Sequence, residues 1–122
     1  MNESDSEEKI YSPTSSKIPD LFFDEVLVDY KLTRPEVLVL MYLYRITWCK
    51  PNINSMHGIA PIISHKVTSE NMELQVDTLL QSLKKLETYG FIETIRSGQY
   101  FVRKFFTEEN DKKYGQTYDD FL

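Results

Sequence analysis

This sequence has little of what metal or covalent chemistry needs: one cysteine, two histidines and four glycines in 122 residues. The lone Cys49 cannot close an internal disulfide, and beside Trp48 at the end of an apolar run it reads as a small packing residue, not a nucleophile. His57 and His65 have neither a cysteine pair nor a His-x-x-x-His spacing, so no metal site is expected. Gly58 and Gly98 stand alone, without a glycine-rich phosphate loop. Glu108-Glu109 and Asp119-Asp120 lie in the acidic closing segment and read as solvated charge, because general acid-base work requires carboxylates held in fixed geometry. Neither an enzyme nor a cofactor is expected. Apolar runs are also short: none approaches the roughly 18 residues needed to span a bilayer. The start, Met1 to Glu8, is polar and acidic where a secretory signal is basic and then apolar. A cytoplasmic protein without membrane contact is the expectation. Positive charge is in no surplus either, the net charge being −5. Residues 1–17 hold four acids against two bases, 18–106 ten against ten, and 107–122 five against two, so the middle is neutral and both ends are acidic.

What is present is a succession of apolar patterns between residues 18 and 106. Residues 1–17, rich in Ser and Glu with little to bury, read as a disordered acidic leader. Order is expected from Ile18-Pro19-Asp20, where proline suits a first helical position and aspartate the positive end of the dipole. Phe22, Phe23, Val26, Leu27 and Tyr30 then recur at helical spacing. Thr33-Arg34-Pro35-Glu36 is a capping box that opens a second helix, apolar nearly all round from Val37 to Trp48 and so expected at the centre of the core. Its Tyr42, Tyr44 and Trp48 read as core and not as a base-stacking platform. Cys49 to Ser64 collects turn formers, among them Pro51, Asn54 and Pro61, without a period. A short helical turn is expected over Pro61 to Val67, followed by a loop or cap at Thr68-Ser69-Glu70-Asn71. The next helix runs from Val76 to a stop at Gly90, with Leu79, Leu80, Leu83 and Leu86 on one face. FIETIR and QYFVRKFF flank Ser97-Gly98 as an antiparallel hairpin. Because a ribbon buries only one face, the hairpin aromatics Tyr100, Phe101, Phe105 and Phe106 must meet core, partner or water. Residues 107–122 form an acidic tail whose Tyr118, Phe121 and Leu122 dock on the domain or on a second copy. The expected class is mainly α with a small β-hairpin (α+β), with one domain over 18–106.

The run LLQSLKKLETYGFIETIRSGQYFVRKFF, in which Leu83-Lys84-Lys85-Leu86-Glu87 leads to Gly90 and Phe91-Ile92, resembles the recognition helix and wing of winged helix-turn-helix domains. LTRPEVLVLMYLYRITW is similar to the first helix of winged-helix modules in bacterial and phage replication-initiation proteins, including those of the DnaD kind. The resemblance implies a winged helix acting in transcription regulation or DNA replication initiation. Double-stranded DNA would be read by Gln75, Thr78, Gln81, Ser82 and Lys85, donors and acceptors suited to base edges and phosphates in a major groove. The wing residues Arg96, Ser97, Gly98, Gln99 and Arg103, with Lys104 near them, would touch the backbone. Glu73 and Asp77 oppose phosphates at the start of that helix, although there they also favour the macrodipole by about 0.3 to 1 kcal/mol. A neutral domain displaces few counterions and binds weakly as a monomer; a homodimer would double the contacts, but the sequence shows no dimer seam. The same neutrality and acidic ends support a second expectation, a winged helix turned to protein–protein interaction as an adaptor.

Overall fold

The structure, a computed structural model, describes residues 15–121. Most of the expected leader (1–14) and Leu122 lie outside the described residues. The chain is mainly helical with one small antiparallel sheet. A π-helical turn Phe22–Val26 runs into α1 (Leu27–Tyr30); α2 (Arg34–Tyr44) ends in a second π-helical turn, Arg45–Cys49. A 3-10 turn Ser55–His57, α3 (His65–Asn71), α4 (Val76–Thr88), strands β1 (Ile92–Arg96) and β2 (Gln99–Val102) and α5 (Glu108–Lys113) complete it.

Local chemistry explains the boundaries. The capping box opens α2 as expected: Thr33 accepts from the Glu36 amide at 3.4 Å and Glu36 accepts from the Thr33 amide at 3.0 Å. At the end of α4, Gly90 takes φ +84° with its N–H on the Glu87 carbonyl, and the Phe91 N–H reaches the Leu86 carbonyl. That pair closes the helix as a Schellman motif. One expectation fails upstream, since Thr68 to Asn71 belong to α3 and not to a loop. Ser64 caps the Val67 amide, and the Ser69 hydroxyl donates to the Lys66 carbonyl, so residues that favour loops are satisfied inside a helix.

The core lies between α2, α4 and the hairpin. Leu40, Leu43, Leu79, Leu86, Phe91, Val102 and Phe106 are fully buried. Phe106 stacks on Tyr44 with centroids 5.1 Å apart and touches Phe22 at 5.4 Å. Leu80 corrects the expected face: it is 41% exposed, because one residue after Leu79 the helix has turned about 100° out of the stripe formed by Leu79, Leu83 and Leu86. Phe23 likewise faces water.

In the hairpin Ile92 pairs with Val102, Thr94 with Tyr100 and Arg96 with Gln99, leaving Ile95 without a partner where the register slips. The segment after the 3-10 turn, unreadable from sequence, covers the free edge of β2. Gly58 accepts from the Val102 amide, Ala60 donates to Tyr100, Ile63 donates to Gly98, and Ile59 bridges Phe101. Gly98 is thereby pinned: its φ is +82° and a Cβ would lie 2.6 Å from the Ile63 carbonyl oxygen. Gly98→Ala is expected to cost about 2 to 3 kcal/mol from backbone strain and this collision, read as a lowered thermal midpoint. An unchanged midpoint would show that the turn relaxes freely.

The boundary expected at Phe106 is also corrected, because the acidic tail folds back onto the domain. Asp111, 3% exposed, accepts from the Phe105 amide (3.0 Å), the Arg103 guanidinium (3.1 Å) and the Tyr118 hydroxyl (2.6 Å). The Tyr118 hydroxyl in turn accepts from the Lys104 amide, and its ring meets Phe101 edge-on and Trp48 at 6.2 Å. His57 Nδ1 lies 2.9 Å from the Asp119 carbonyl and its ring contacts Phe121. Of the two dockings open to the tail, Tyr118 and Phe121 therefore take the one on their own domain.

Candidate nucleic-acid interface

Two short helices and the hairpin make one surface. Met72 to Gln75 connects α3 to α4; Glu73 sits there at φ +56°, and the Leu74 amide donates to the Ser69 carbonyl. Two side chains, through three hydrogen bonds, fix this pair to the sheet. His65 Nε2, at the start of α3, is 2.6 Å from the Tyr100 hydroxyl, and the Glu87 carboxylate near the end of α4 accepts from the Thr94 amide and hydroxyl, each at 3.2 Å. Burial raises the Tyr100 phenol above its ordinary range, so it stays protonated in this contact.

The expected recognition residues divide. Gln75 occupies the cap position of α4 in extended backbone with no side-chain capping bond, and it is exposed, as are Gln81 and Lys85. Lys85 places its ammonium 5.6 Å from the Tyr89 ring centroid. Thr78 is half-buried. Ser82 is corrected: it is 5% exposed and its hydroxyl donates to the Thr78 carbonyl, so it faces the interior and offers nothing outward. Sequence reasoning missed Lys84, which is exposed on the side of α4 away from Leu79. Its position five residues after Leu79, a rotation of about 140°, was the available signal.

The hairpin departs further from expectation. Arg96 and Ser97 are exposed at the tip. Gly98 is buried against Ile63, and Gln99 is 5% exposed with its Oε1 accepting from Arg96 Nε at 3.0 Å. Arg103, at the base of β2, is held by Asp111 and stacks 5.1 Å from the Phe101 ring, and Lys104 lies over Trp48. Gly98, Gln99 and Arg103 are thus corrected from surface contacts to structural ones: the first two are sealed by packing, and the third is neutralised by a buried carboxylate.

The remaining electrostatics are mixed. Lys66, Lys84, Lys85 and Arg96 are exposed, and so are Glu70, Glu73 and Asp77. Among them stand exposed apolar groups, Val67 (53%), Val76 (39%), Leu80 (41%) and Ile95 (42%). Among the described residues no helix is long and apolar enough to cross a membrane, and no group of three His, Cys, Asp or Glu could hold a metal ion. Comparison with protein-family models, with curated proteins and with solved structures gives no match to this chain.

Proposed function

We propose that this chain is a winged helix-turn-helix protein of the cytoplasm that binds double-stranded DNA, in transcription regulation or DNA replication initiation. The observation that carries the reading is the exposed set Gln81, Lys84 and Lys85 at helical spacing, with Gln75 exposed at the cap of the same helix, which Glu87–Thr94 ties to the hairpin bearing Arg96 and Ser97. The order α2, the segment pairing through Ile59, α3, α4 and hairpin supports it, being the order of elements in that domain. In this reading α4 enters the major groove, its glutamines meeting base edges, while Lys84, Lys85 and Arg96 meet phosphates.

Three phosphate contacts give a salt slope near −2.7, so raising salt from about 50 to 200 mM is expected to weaken binding roughly 40-fold in a mobility shift on random duplex. The variant Lys84→Glu, Lys85→Glu, Arg96→Glu should lose more than about tenfold at low salt while keeping its thermal midpoint. No retardation of wild-type protein at low salt would refute the proposal.

A second reading, an adaptor that binds protein through the same face, is favoured by one specific observation: Val67, Val76, Leu80 and Ile95 are exposed where DNA calls for donors. Binding through that apolar surface would persist at high salt and fail on Leu80→Glu.

A further inference from the structure

On its outward side α2, with the residue that follows it, carries a stripe at helical spacing that is only partly packed against the core, through Met41, and that the proposed DNA face does not use. Arg34, Leu38, Met41 and Arg45 follow one another by four, three and four residues, and the turn residues Met72 and Glu73 form the opposite wall of a groove of ≈ 510 Å³. Leu38 and Met41 on one side and Met72 on the other are half-buried and make the lining apolar, while Arg34 and Arg45 are exposed at the two ends of the stripe.

The two guanidinium groups point to what belongs there. Among the described residues neither Arg34 nor Arg45 has an ion-pair partner. Arg34 is the first residue of α2, where a cation opposes the helix dipole, so its charge does not serve the stability of its own helix. Glu36, the acid nearest in sequence, is 9% exposed and committed to the Thr33 amide. Arg34 and Arg45 lie roughly 16 Å apart along the axis, about three helical turns. Glu73, exposed on the far wall, is the groove's one carboxylate among the described residues and repels acid near itself, so the two arginines are the anion-seeking positions.

We infer that this groove binds an amphipathic helix of a partner protein, apolar along its central face and acidic at both ends. The binding is helix-in-groove: the partner's apolar residues at i, i+4 and i+7 cover Leu38, Met41 and Met72, and its terminal carboxylates meet Arg34 and Arg45. The site adjoins the proposed DNA face at Glu73 but uses none of Gln81, Lys84, Lys85 and Arg96, and it holds whichever reading of that face is correct.

The probe is a short fluorescein-labelled peptide with leucines at that spacing and glutamates at both ends, titrated by anisotropy into the full chain. Its counterpart carries lysine in place of glutamate. Wild-type protein should prefer the acidic peptide. The double variant Arg34→Glu, Arg45→Glu should bind it about tenfold more weakly, from two attractive pairs made repulsive, and should instead prefer the lysine peptide. Arg34→Gln, Arg45→Gln should fall between, and all three proteins should melt alike and shift DNA alike. The inference is overturned if wild-type protein does not bind the acidic peptide, if it fails to discriminate it from the lysine peptide, or if charge reversal leaves both affinities unchanged.

Discussion

Asp111→Ala is expected to lower the unfolding free energy by about 3 kcal/mol, as a shift in the urea midpoint with little change in slope. Asp111 has 4% of its side chain exposed, and its carboxylate satisfies three donors from three places: the Phe105 amide, the Arg103 guanidinium and the Tyr118 hydroxyl. Removing it leaves a cation and an amide without their acceptor, the circumstance in which breaking a buried pair is most costly. The estimate sits at the low end for such a loss because Arg103 keeps 22% of its side chain exposed and can turn to water. Trp48, the chain's single tryptophan, lies against Tyr118, so its fluorescence should report release of the tail in the same variant. A loss below about 1 kcal/mol with unchanged fluorescence would mean that the tail is held by its apolar contacts and not by this carboxylate.

Asp111 also shows where the sequence was opaque. Periodicity exposes a helix through its apolar stripe, and so the stretch from Val76 to Gly90 was readable, as was the capping box at Thr33, whose chemistry is wholly local. The tail has no such stripe. Its Thr107 caps the Asn110 amide to start α5, but what orders the rest is one acid and one phenol meeting Arg103 and Lys104 of the preceding strand end. An Asp in an acidic run looks like solvated charge until the contact is formed. Gly58 to Ile63 were hidden for a related reason: their strand pairing is supplied by β2, some forty residues later, and not by alternation of their own side chains.

The candidate site was partly legible for the same physical reason. A helical wheel places Gln81, Lys84 and Lys85 outside the leucine stripe from sequence alone, and it equally places Ser82, three residues after Leu79 and four before Leu86, on the buried side, so its inward turn was legible too. For the hairpin, alternation could not separate Arg96 from Arg103. The first is at a tip sealed on one side by Ile63, and the second is claimed by an acid from the tail. A basic residue contributes to phosphate binding only if no carboxylate of its own chain already neutralises it, and that accounting needs coordinates.

The tyrosines tied to this same segment give the second large effect. Tyr44 is 2% exposed, and burial foremost, with the nearby Cys49 and Asp111 adding to it, lifts its phenol well above the ordinary value of 10.0. Its hydroxyl donates to the Lys104 carbonyl at 2.9 Å. Tyr118 is raised too, by burial first and then by donating to Asp111. Below pH 10 these groups are protonated in both states and stability does not depend on them. Above pH 10 the unfolded chain releases protons that the folded one retains, so the unfolded state binds fewer protons and stability falls as pH rises. For Tyr44 the slope approaches about 1.4 kcal/mol per pH unit once the unfolded phenol is ionised, which amounts to roughly 2 kcal/mol between pH 10 and 12; Tyr118 adds less because solvent reaches its ring. Tyr44→Phe is expected to cost about 1 kcal/mol at neutral pH, from the orphaned Lys104 carbonyl, yet to lose less on the alkaline side. The two stability curves should therefore cross near pH 11, with the variant the more stable at pH 12. Parallel curves through that range would show that the Tyr44 phenol ionises in the folded protein as easily as in the unfolded chain, and that its burial is not what holds the proton.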